Sequence, residues 1–299
     1  MSIGKGDQWL DNNALDNAKN WEDFSKSDFF YKIGTWNPKA NGVRYLKMLL
    51  YNMSMNLTKE DLDILKNITN RDILKTYNVK INGVEIDFDY IQVIDEIQFL
   101  SHTVKKSRTI LEIGSGYGRT CHAILCNFDT IEKYIIADLD AMLIHSKNYL
   151  QKVLSKENYD KVQFISVESQ LENLLSTAVD LTIQIDALNE IQPSEVKLYL
   201  EMIDKNSKFF YTKNPLGKYI DASLDNHWSG NKAVENVMKS GLLTDVIDID
   251  NNEDIINSVP KFIETYTPST KWICHSNRWA KPTPFMWQVI YKRGSVDEL

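Results

Sequence analysis

Hydrophobic and polar positions alternate in blocks that predict strands and helices in turn from about residue 109 onwards. The apolar run Thr109–Ile113 predicts a buried strand, and the spacing over Thr120–Leu125, after a glycine-rich turn, predicts a helix. The same pattern predicts strands at Tyr134–Ala137, Val162–Ser166, Val179–Ile185 and Lys208–Thr212, and helices at Ala141–Leu154, Pro193–Ile203 and Lys232–Ser240. Apolar strands that alternate with helices are typical of an α/β protein with a mostly parallel sheet. We expect the last two strands, Leu243–Ile249 and Phe285–Arg293, to pair antiparallel.

The first 100 residues have a different pattern, in which short helices alternate with polar and aromatic stretches. Helices are predicted at Asn17–Phe24, at Val43–Met53 after a turn at Asn41-Gly42, at Lys59–Lys66 and at Asp89–Leu100. Thr58 and Asp61 fit a capping box, and Asn82-Gly83 between two short apolar runs predicts a hairpin turn. We therefore divide the chain into an N-terminal helical cap, residues 1–100, and an α/β domain, residues 101–299. The cap either covers one edge of the sheet or closes over a substrate.

Composition narrows the classes of function. The chain of 299 residues has a formal net charge of −7 and no block of Lys or Arg, which argues against binding to nucleic acid. Cys121, Cys126 and Cys274 have neither C-x-x-C nor zinc-ligand spacing, so we interpret them as reduced thiols of a cytoplasmic protein. No N-terminal stretch has the pattern of a signal peptide, and no apolar run approaches the roughly 18 residues that span a membrane.

The turn after the first α/β strand carries the strongest chemical signal. Its glycines, at Gly114, Gly116 and Gly118, allow positive φ and let a ligand lie against bare backbone. The helix that follows offers free backbone N–H groups at its start. A dinucleotide fingerprint would need a third glycine at position 119, which is Arg119, so a dehydrogenase is disfavoured. A tight strand-to-helix turn without any ligand is the remaining structural alternative.

An acidic residue, Glu112, precedes this turn. The resulting E-x-G-x-G-x-G pattern resembles the first motif of class I S-adenosylmethionine (AdoMet) methyltransferases. AdoMet carries a sulfonium and an ammonium group, so a carboxylate close to the turn has an electrostatic purpose. Asp138 directly follows the second strand, where an acid accepts hydrogen bonds from a ribose, whereas Asp140 is expected to cap the next helix. The predicted AdoMet-binding residues are Glu112, Gly114, Ser115, Gly116, Tyr117, Gly118, Asp138, Leu139, Glu168 and Ser169.

Beyond the glycine motif, the chain resembles the bacterial sugar O-methyltransferases. The similar stretches are Ile81-Asn82-Gly83, Asp89-Tyr90-Ile91, LEIGSGYG at 111–118, YIIADL at 134–139, DLTIQIDALNEI at 180–191 and FFYTKN at 209–214. The resemblance implies a Rossmann-like class I methyltransferase sheet with an antiparallel last strand. It also implies AdoMet-dependent methyl transfer to a sugar hydroxyl, in bacterial surface-glycan biosynthesis. Two positions depart from the family pattern, which commonly has a proline where Asp140 stands and a serine where Ala187 stands.

A sugar hydroxyl is a poor nucleophile at neutral pH, so a positioned base is expected at the carboxyl ends of the strands. We favour His227, in the loop after the fifth α/β strand, with Glu190 or Asp186 as the next candidates. The predicted acceptor contacts are Asn189, Lys213, Asn214, Trp228 and His275, and the predicted structural histidines are His102, His122 and His145. Asp186 has no identifiable second ligand, so no metal is predicted.

Other functions remain open at this point. The acceptor is expected to be a small molecule or a nucleotide-linked sugar, and a methyltransferase for another small metabolite would use the same fold. A non-catalytic AdoMet-fold protein is an alternative from a different class. A DNA amino-methyltransferase is disfavoured because the fourth strand lacks an Asn-Pro-Pro-Tyr type of turn.

Overall fold

The computed structural model describes residues 38–73, 76–170, 172, 174, 176–219 and 236–294. The strands in these ranges are β1 (Asn78–Ile81), β2 (Val84–Asp87), β3 (Thr109–Ile113), β4 (Lys133–Asp138), β5 (Val162–Ser166), β6 (Val179–Ile185), β7 (Ser207–Pro215), β8 (Trp272–Trp279) and β9 (Met286–Arg293). The helices there are α1 (Pro38–Ser54), α2 (Lys59–Asn67), α3 (Phe88–Val104), α4 (Arg119–Asn127), α5 (Asp140–Val153), α6 (Lys156–Asp160), α7 (Pro193–Asn206) and α8 (Asn252–Tyr266).

Seven of these strands form one sheet in the order β5-β4-β3-β6-β7-β9-β8. Strands β3 to β7 are parallel, whereas β9 lies antiparallel between β7 and β8. This is the order of a class I methyltransferase sheet, so the predicted fold class is confirmed. The chain leaves β3 towards β4 on one side and later adds β6 on the other. The strand order therefore reverses at β3, the point where open α/β sheets bind their ligands.

Strands β3 and β4 carry buried apolar residues on both faces, because both faces of the sheet are covered there. Neighbouring residues alternate between two clusters: Ile110 packs with α3, α4 and α5, and Leu111 packs on the opposite face with α7 and α8. The side chains of a strand point alternately to its two faces, so each strand contributes to both clusters. This double burial explains why the apolar runs of β3 and β4 are nearly continuous and not alternating.

The N-terminal elements confirm two local predictions and correct a third. The capping box at α2 is present, with the Thr58 hydroxyl accepting from the Asp61 N–H at 3.2 Å. The hairpin turn is also present, with φ values of 49° at Asn82 and 80° at Gly83. The predicted turn at Asn41-Gly42 is wrong, since α1 begins at Pro38 and continues through it. Proline suits the first turn of a helix, and one glycine costs a helix only about 1 kcal/mol.

The described part of the predicted cap shares one hydrophobic core with the sheet. Leu65 of α2 and Ile94 of α3 belong to the same buried cluster as Ile124 of α4 and Leu150 of α5. The residues from α1 to α3 therefore extend the covering of one sheet face. A role in closing over a substrate stays a prediction.

The C-terminal region departs most from the sequence prediction. Leu243–Ile249 is not a strand, because its pairing with the described residues is limited to a single bridge between Lys218 and Val246, although Leu243 and Ile247 are buried in the core. The partner of β9 is instead β8, an edge strand that is mostly exposed and polar. Helix α8 occupies much of the long connection before it. Of the helix predicted at Lys232–Ser240, residues 236–239 are helical and the residues before 236 lie outside the described part.

Candidate active site

The glycine turn lies at the switch point and opens into a cavity. Gly114 has a φ of 70° and Gly116 a φ of 56°, so both need the conformational freedom of glycine. A Cβ atom at Gly114 would lie 2.6 Å from the Cβ of Ala187, so packing against the loop after β6 requires glycine there. A Cβ at Gly116 would meet nothing within 4 Å, because this residue faces open space. Gly116 is therefore the place where a ligand can approach the bare backbone.

Asp138 joins the end of β4 to this turn. Its carboxylate accepts hydrogen bonds from the backbone N–H groups of Gly116 at 3.2 Å and Leu139 at 2.9 Å. The pKa of Asp138 is raised because burial outweighs these hydrogen bonds, which favour the charged form. The carboxylate thus lies at the edge of the cavity, and its hydrogen bonds with the backbone of Gly116 and Leu139 fix its orientation.

The cavity has a volume of about 820 Å³ and lies at the carboxyl ends of β3, β4 and β6, with α7 as a further wall. Ten of the predicted site residues line it: Glu112, Gly114, Ser115, Gly116, Tyr117, Asp138, Leu139, Glu168, Asp186 and Glu190. Six others in the described part do not line it: Gly118, the N-cap residue of α4, and Ser169, Asn189, Lys213, Asn214 and His275. Two predicted residues, His227 and Trp228, lie outside the described residues.

Glu112 is buried at the floor of the cavity. Its Oε2 accepts a hydrogen bond from the Tyr134 hydroxyl at 2.9 Å. Burial raises the pKa of Glu112 to about 8, against the opposing effect of the Tyr134 bond. A carboxyl group with this pKa is mostly protonated at neutral pH and would ionise when a cation binds beside it. Glu112 therefore fits a place for a positively charged group of the ligand.

Beyond Asp138, the loop after β5 supports the start of α5. A carboxylate oxygen of Glu168 accepts from the Asp140 N–H at 2.8 Å, which leaves the side chain at the cavity rim. Ser169 instead donates its backbone N–H to the Ser166 hydroxyl at 3.2 Å. The prediction that Asp140 caps α5 is wrong, since the N-cap residue is Leu139, whose side chain forms no capping hydrogen bond.

The loop after β6 brings two carboxylates to the other end of the cavity. Asp186 has a positive φ of 53°, and its N–H donates to the Lys213 carbonyl at 2.7 Å. Asp186 is exposed as a residue, yet the protein around its carboxylate removes enough water to raise its pKa. That burial, followed by the negative charge of Glu190, raises the pKa of Asp186 to about 6. This value is close to that of an effective general base at neutral pH.

Two predicted acceptor contacts are buried behind this loop. Lys213 donates to the Glu96 Oε1 at 2.8 Å, and Arg119 donates to the same oxygen at 3.0 Å. Asn214 is fully buried, and its amide donates to the Thr212 hydroxyl at 2.7 Å and to the Gln184 side chain. These two residues support the loop and do not face the cavity. Sequence reasoning missed Glu96, although a charged residue inside the apolar run of α3 is a signal for a buried ion pair.

A second missed residue, Lys218, holds the same loop from behind. Its buried ammonium donates to the Asn189 carbonyl at 3.0 Å, and the Ser240 hydroxyl donates to that carbonyl at 2.8 Å. Burial lowers the pKa of Lys218, while Glu190 and Asp186 oppose this effect. Nothing in the sequence around Lys218 indicates this role.

The remaining histidines lie away from the cavity. His122 is fully buried, and its Nδ1 is hydrogen-bonded to the Tyr90 hydroxyl at 2.6 Å. His102 and His145 are exposed on helices, and His275 is exposed on the edge strand β8. His275 therefore lies apart from the residues that line the cavity.

The described residues contain no group of three or more His, Cys, Asp or Glu side chains arranged to hold a metal ion. None of their helices is both long and apolar enough to cross a membrane.

Comparison with known proteins gives distant structural similarities only. No family model matches the sequence, and no curated protein matches it. An O-methyltransferase family protein from Burkholderia thailandensis is 12% identical over 70% of this chain, with a TM-score of 0.43; this chain spans 59% of that protein's length. A protein from Klebsiella pneumoniae assigned to the O-methyltransferases is 15% identical over 83% of this chain and 97% of its own, with a TM-score of 0.45.

A third solved structure is the N-terminal domain of EvdMO1, determined in the presence of SAH and D-fucose. It is 11% identical over 79% of this chain and 97% of its own, with a TM-score of 0.42.

Proposed function

We propose that this protein is an AdoMet-dependent O-methyltransferase that acts on a sugar hydroxyl. The observation that carries the proposal is the cavity at the switch point, with Gly116 and Asp138 at one end and Asp186 and Glu190 at the other. The first pair suits a nucleoside that lies against backbone, and the second suits a hydroxyl that must lose a proton.

The residues present fit AdoMet. A volume of about 820 Å³ lies within the range of ligand cavities and leaves room for an acceptor beside the cofactor. Gly116 offers open backbone, Asp138 is placed to accept from ribose hydroxyls, and Glu112 is placed to receive a positive charge. When bound, AdoMet supplies a methyl group activated by the positive charge on its sulfur.

The protein's own contribution is to align the acceptor and to take its proton. Asp186 is the base that we assign within the described residues, because it lines the cavity and its pKa is about 6. The strained backbone of Asp186, anchored through its N–H to Lys213, fixes the direction of the carboxylate. His227, which the sequence favours as the base, remains the competing assignment.

The choice of a sugar rests on the resemblance of three stretches to sugar O-methyltransferases. These stretches form β4, the β6 strand with its acidic loop, and the end of β7, and they surround the cavity or support it. Carboxylates that face a cavity are suited to accept hydrogen bonds from sugar hydroxyls. Another small hydroxyl compound is the alternative acceptor.

The test is transfer of a labelled methyl group from AdoMet to small molecules extracted from the native cells. We expect S-adenosylhomocysteine and an O-methylated sugar, identified by mass spectrometry and NMR, and we expect Asp186→Asn to abolish both. A methyl group on nitrogen or sulfur would contradict the assignment as an O-methyltransferase. Binding of AdoMet without any transfer would identify a non-catalytic AdoMet-binding protein instead.

A further inference from the structure

The charged residues among the described lining of the cavity are mostly acidic. Six carboxylate residues line the cavity, and Arg119 is the one basic residue among the described lining. Asp186 and Glu190 are close enough to raise the pKa of Asp186. Neither of the two forms an ion pair with any described residue.

The basic groups nearest to these carboxylates are engaged elsewhere. Arg119 and Lys213 both bind the buried carboxylate of Glu96, at 3.0 Å and 2.8 Å. Lys218 donates to the Asn189 carbonyl on the far side of the loop. None of these three cations is arranged as the fork or cradle that holds a phosphate group.

From this charge distribution we infer that the acceptor carries no phosphate: it is an uncharged or amino-bearing sugar, and not a nucleotide-linked one. The inference rests on the proposed function and specifies the substrate class of the same site. Of the two kinds of acceptor that the sequence leaves open, a small molecule or a nucleotide-linked sugar, it selects the first.

The electrostatic field around Asp186 supports an acceptor without phosphate. Lys213 and Arg119 lower the pKa of Asp186, but burial and the charge of Glu190 outweigh them, so negative charge is disfavoured at this position. A phosphate brought next to the same carboxylates would meet the same penalty. AdoMet itself adds one net positive charge, fewer than the carboxylates that line the cavity.

The same groups suit a neutral or cationic polyhydroxyl compound. Carboxylates are strong acceptors and can bind two hydroxyl or ammonium protons each. A ligand rich in O–H and N–H donors complements this set, whereas a phosphate offers only acceptors at neutral pH.

The experiment is methyl transfer from labelled AdoMet into the small-molecule extract of the native cells, followed by anion exchange. The inference expects the label in the unbound, neutral or cationic fraction. If the labelled product binds the anion-exchange column and no longer binds after phosphodiesterase and phosphatase treatment, the acceptor carries phosphate. That result would overturn the inference and leave the proposed function standing. Label in neither fraction, with AdoMet still bound by the protein, would overturn the proposed function and the inference with it.

A matched pair of variants tests whether the acid pair sets the charge preference. Inorganic pyrophosphate is titrated calorimetrically into the protein loaded with S-adenosylhomocysteine, so that no turnover is needed. Glu190→Lys should bind pyrophosphate on the order of tenfold or more tightly than the wild type. Glu195→Lys makes the same change of charge at another place in the cavity, near Tyr199, and should raise the affinity for pyrophosphate much less. Equal binding by both variants, or tight binding by the wild type, would contradict the inference.

Discussion

The carboxylate of Asp138 accepts a hydrogen bond from the backbone N–H of Gly116 at 3.2 Å. The end of β4 is thereby tied to the turn after β3, and the two features that the sequence predicts as cofactor contacts meet in one place. The same carboxylate also accepts from Leu139 at 2.9 Å, so its direction is fixed before any ligand binds.

Asp138→Ala should weaken binding of S-adenosylhomocysteine by about 1–3 kcal/mol in calorimetry, because ribose hydroxyls and two backbone N–H groups lose their acceptor. Asp180→Ala is the matched control. Asp180 also accepts from two backbone N–H groups, of Arg108 and Thr109, but at the amino end of the sheet. It should lower thermal stability and leave the affinity unchanged. Equal affinity of Asp138→Ala and wild type would show that the ligand lies elsewhere.

The pH dependence of turnover tests the base. Asp186 must be ionised to accept a proton, so kcat/KM should fall as the pH drops below about 6. Glu190→Gln removes the like charge that helps to raise this pKa, so the midpoint should move to lower pH. Asp186→Asn should lower kcat on the order of a hundredfold or more and leave the affinity for AdoMet unchanged.

The competing assignment has an opposite outcome. If His227→Ala removes turnover while Asp186→Asn retains it, the imidazole predicted from the sequence is the base. Asp186 would then be a contact for the acceptor.

Lys218 should act as a positioning residue, because its ammonium holds the carbonyl of Asn189 in the acidic loop. Lys218→Met should lower kcat on the order of tenfold through misplacement of the loop, with AdoMet affinity unchanged. Lys208→Met is the control, since Lys208 forms an exposed ion pair with Asp180 that contributes little. A loss of AdoMet affinity as large as the loss of kcat would point to general unfolding of the site.

Burial lowers the pKa of His122 to about 4, which makes folding stability depend on pH. The unfolded chain, with an imidazole pKa near 6.5, binds this proton between about pH 6.5 and pH 4 and the folded protein does not. Stability is therefore lost as the pH falls through this window. The loss from His122 amounts to about 2 kcal/mol between about pH 7 and pH 5.

Urea unfolding at the two pH values measures this contribution. The difference in unfolding free energy should shrink by that amount in His122→Gln and remain unchanged in His145→Gln, whose side chain is exposed. An unchanged difference in His122→Gln would show that the buried imidazole does not titrate as described.

Three of the parallel strands could be predicted from the sequence with their bounds. Thr109–Ile113, Val162–Ser166 and Val179–Ile185 are strands over the predicted residues, because each is a short run rich in apolar and β-branched residues that is followed by a turn. The glycine turn and Asp138 could be predicted for a similar reason, since their chemistry is local in the chain. β8 could not be predicted, because an exposed edge strand needs no apolar face.

Contacts between distant residues explain the rest of what was missed. Glu96 meets Lys213 across 117 positions, and Lys218 meets Asn189 across 29. Lys213 and Asn214 follow a strand core in the sequence, but β7 continues to Pro215 and carries them into the buried interior. The sequence pattern of one strand does not show where that strand ends relative to the neighbouring strands. Residues that support a site are therefore easily mistaken for residues that contact a ligand.

Two glycines at positive φ provide the control for the central claim. Gly116 and Gly83 have φ values of 56° and 80°, and a Cβ at either would meet nothing within 4 Å. A valine is therefore strained by a similar amount at both, about 1–2 kcal/mol. Gly116 faces the cavity, whereas Gly83 lies in the hairpin between β1 and β2.

Calorimetric titration of AdoMet and of NADH into the wild type, Gly116→Val and Gly83→Val tests the claim that this cavity holds AdoMet. We expect one AdoMet to bind per wild-type chain in the micromolar range, with NADH binding more weakly. Gly83→Val should bind AdoMet like the wild type, and Gly116→Val should lose it while remaining folded. Preference for NADH, or undiminished AdoMet binding by Gly116→Val, would contradict the claim.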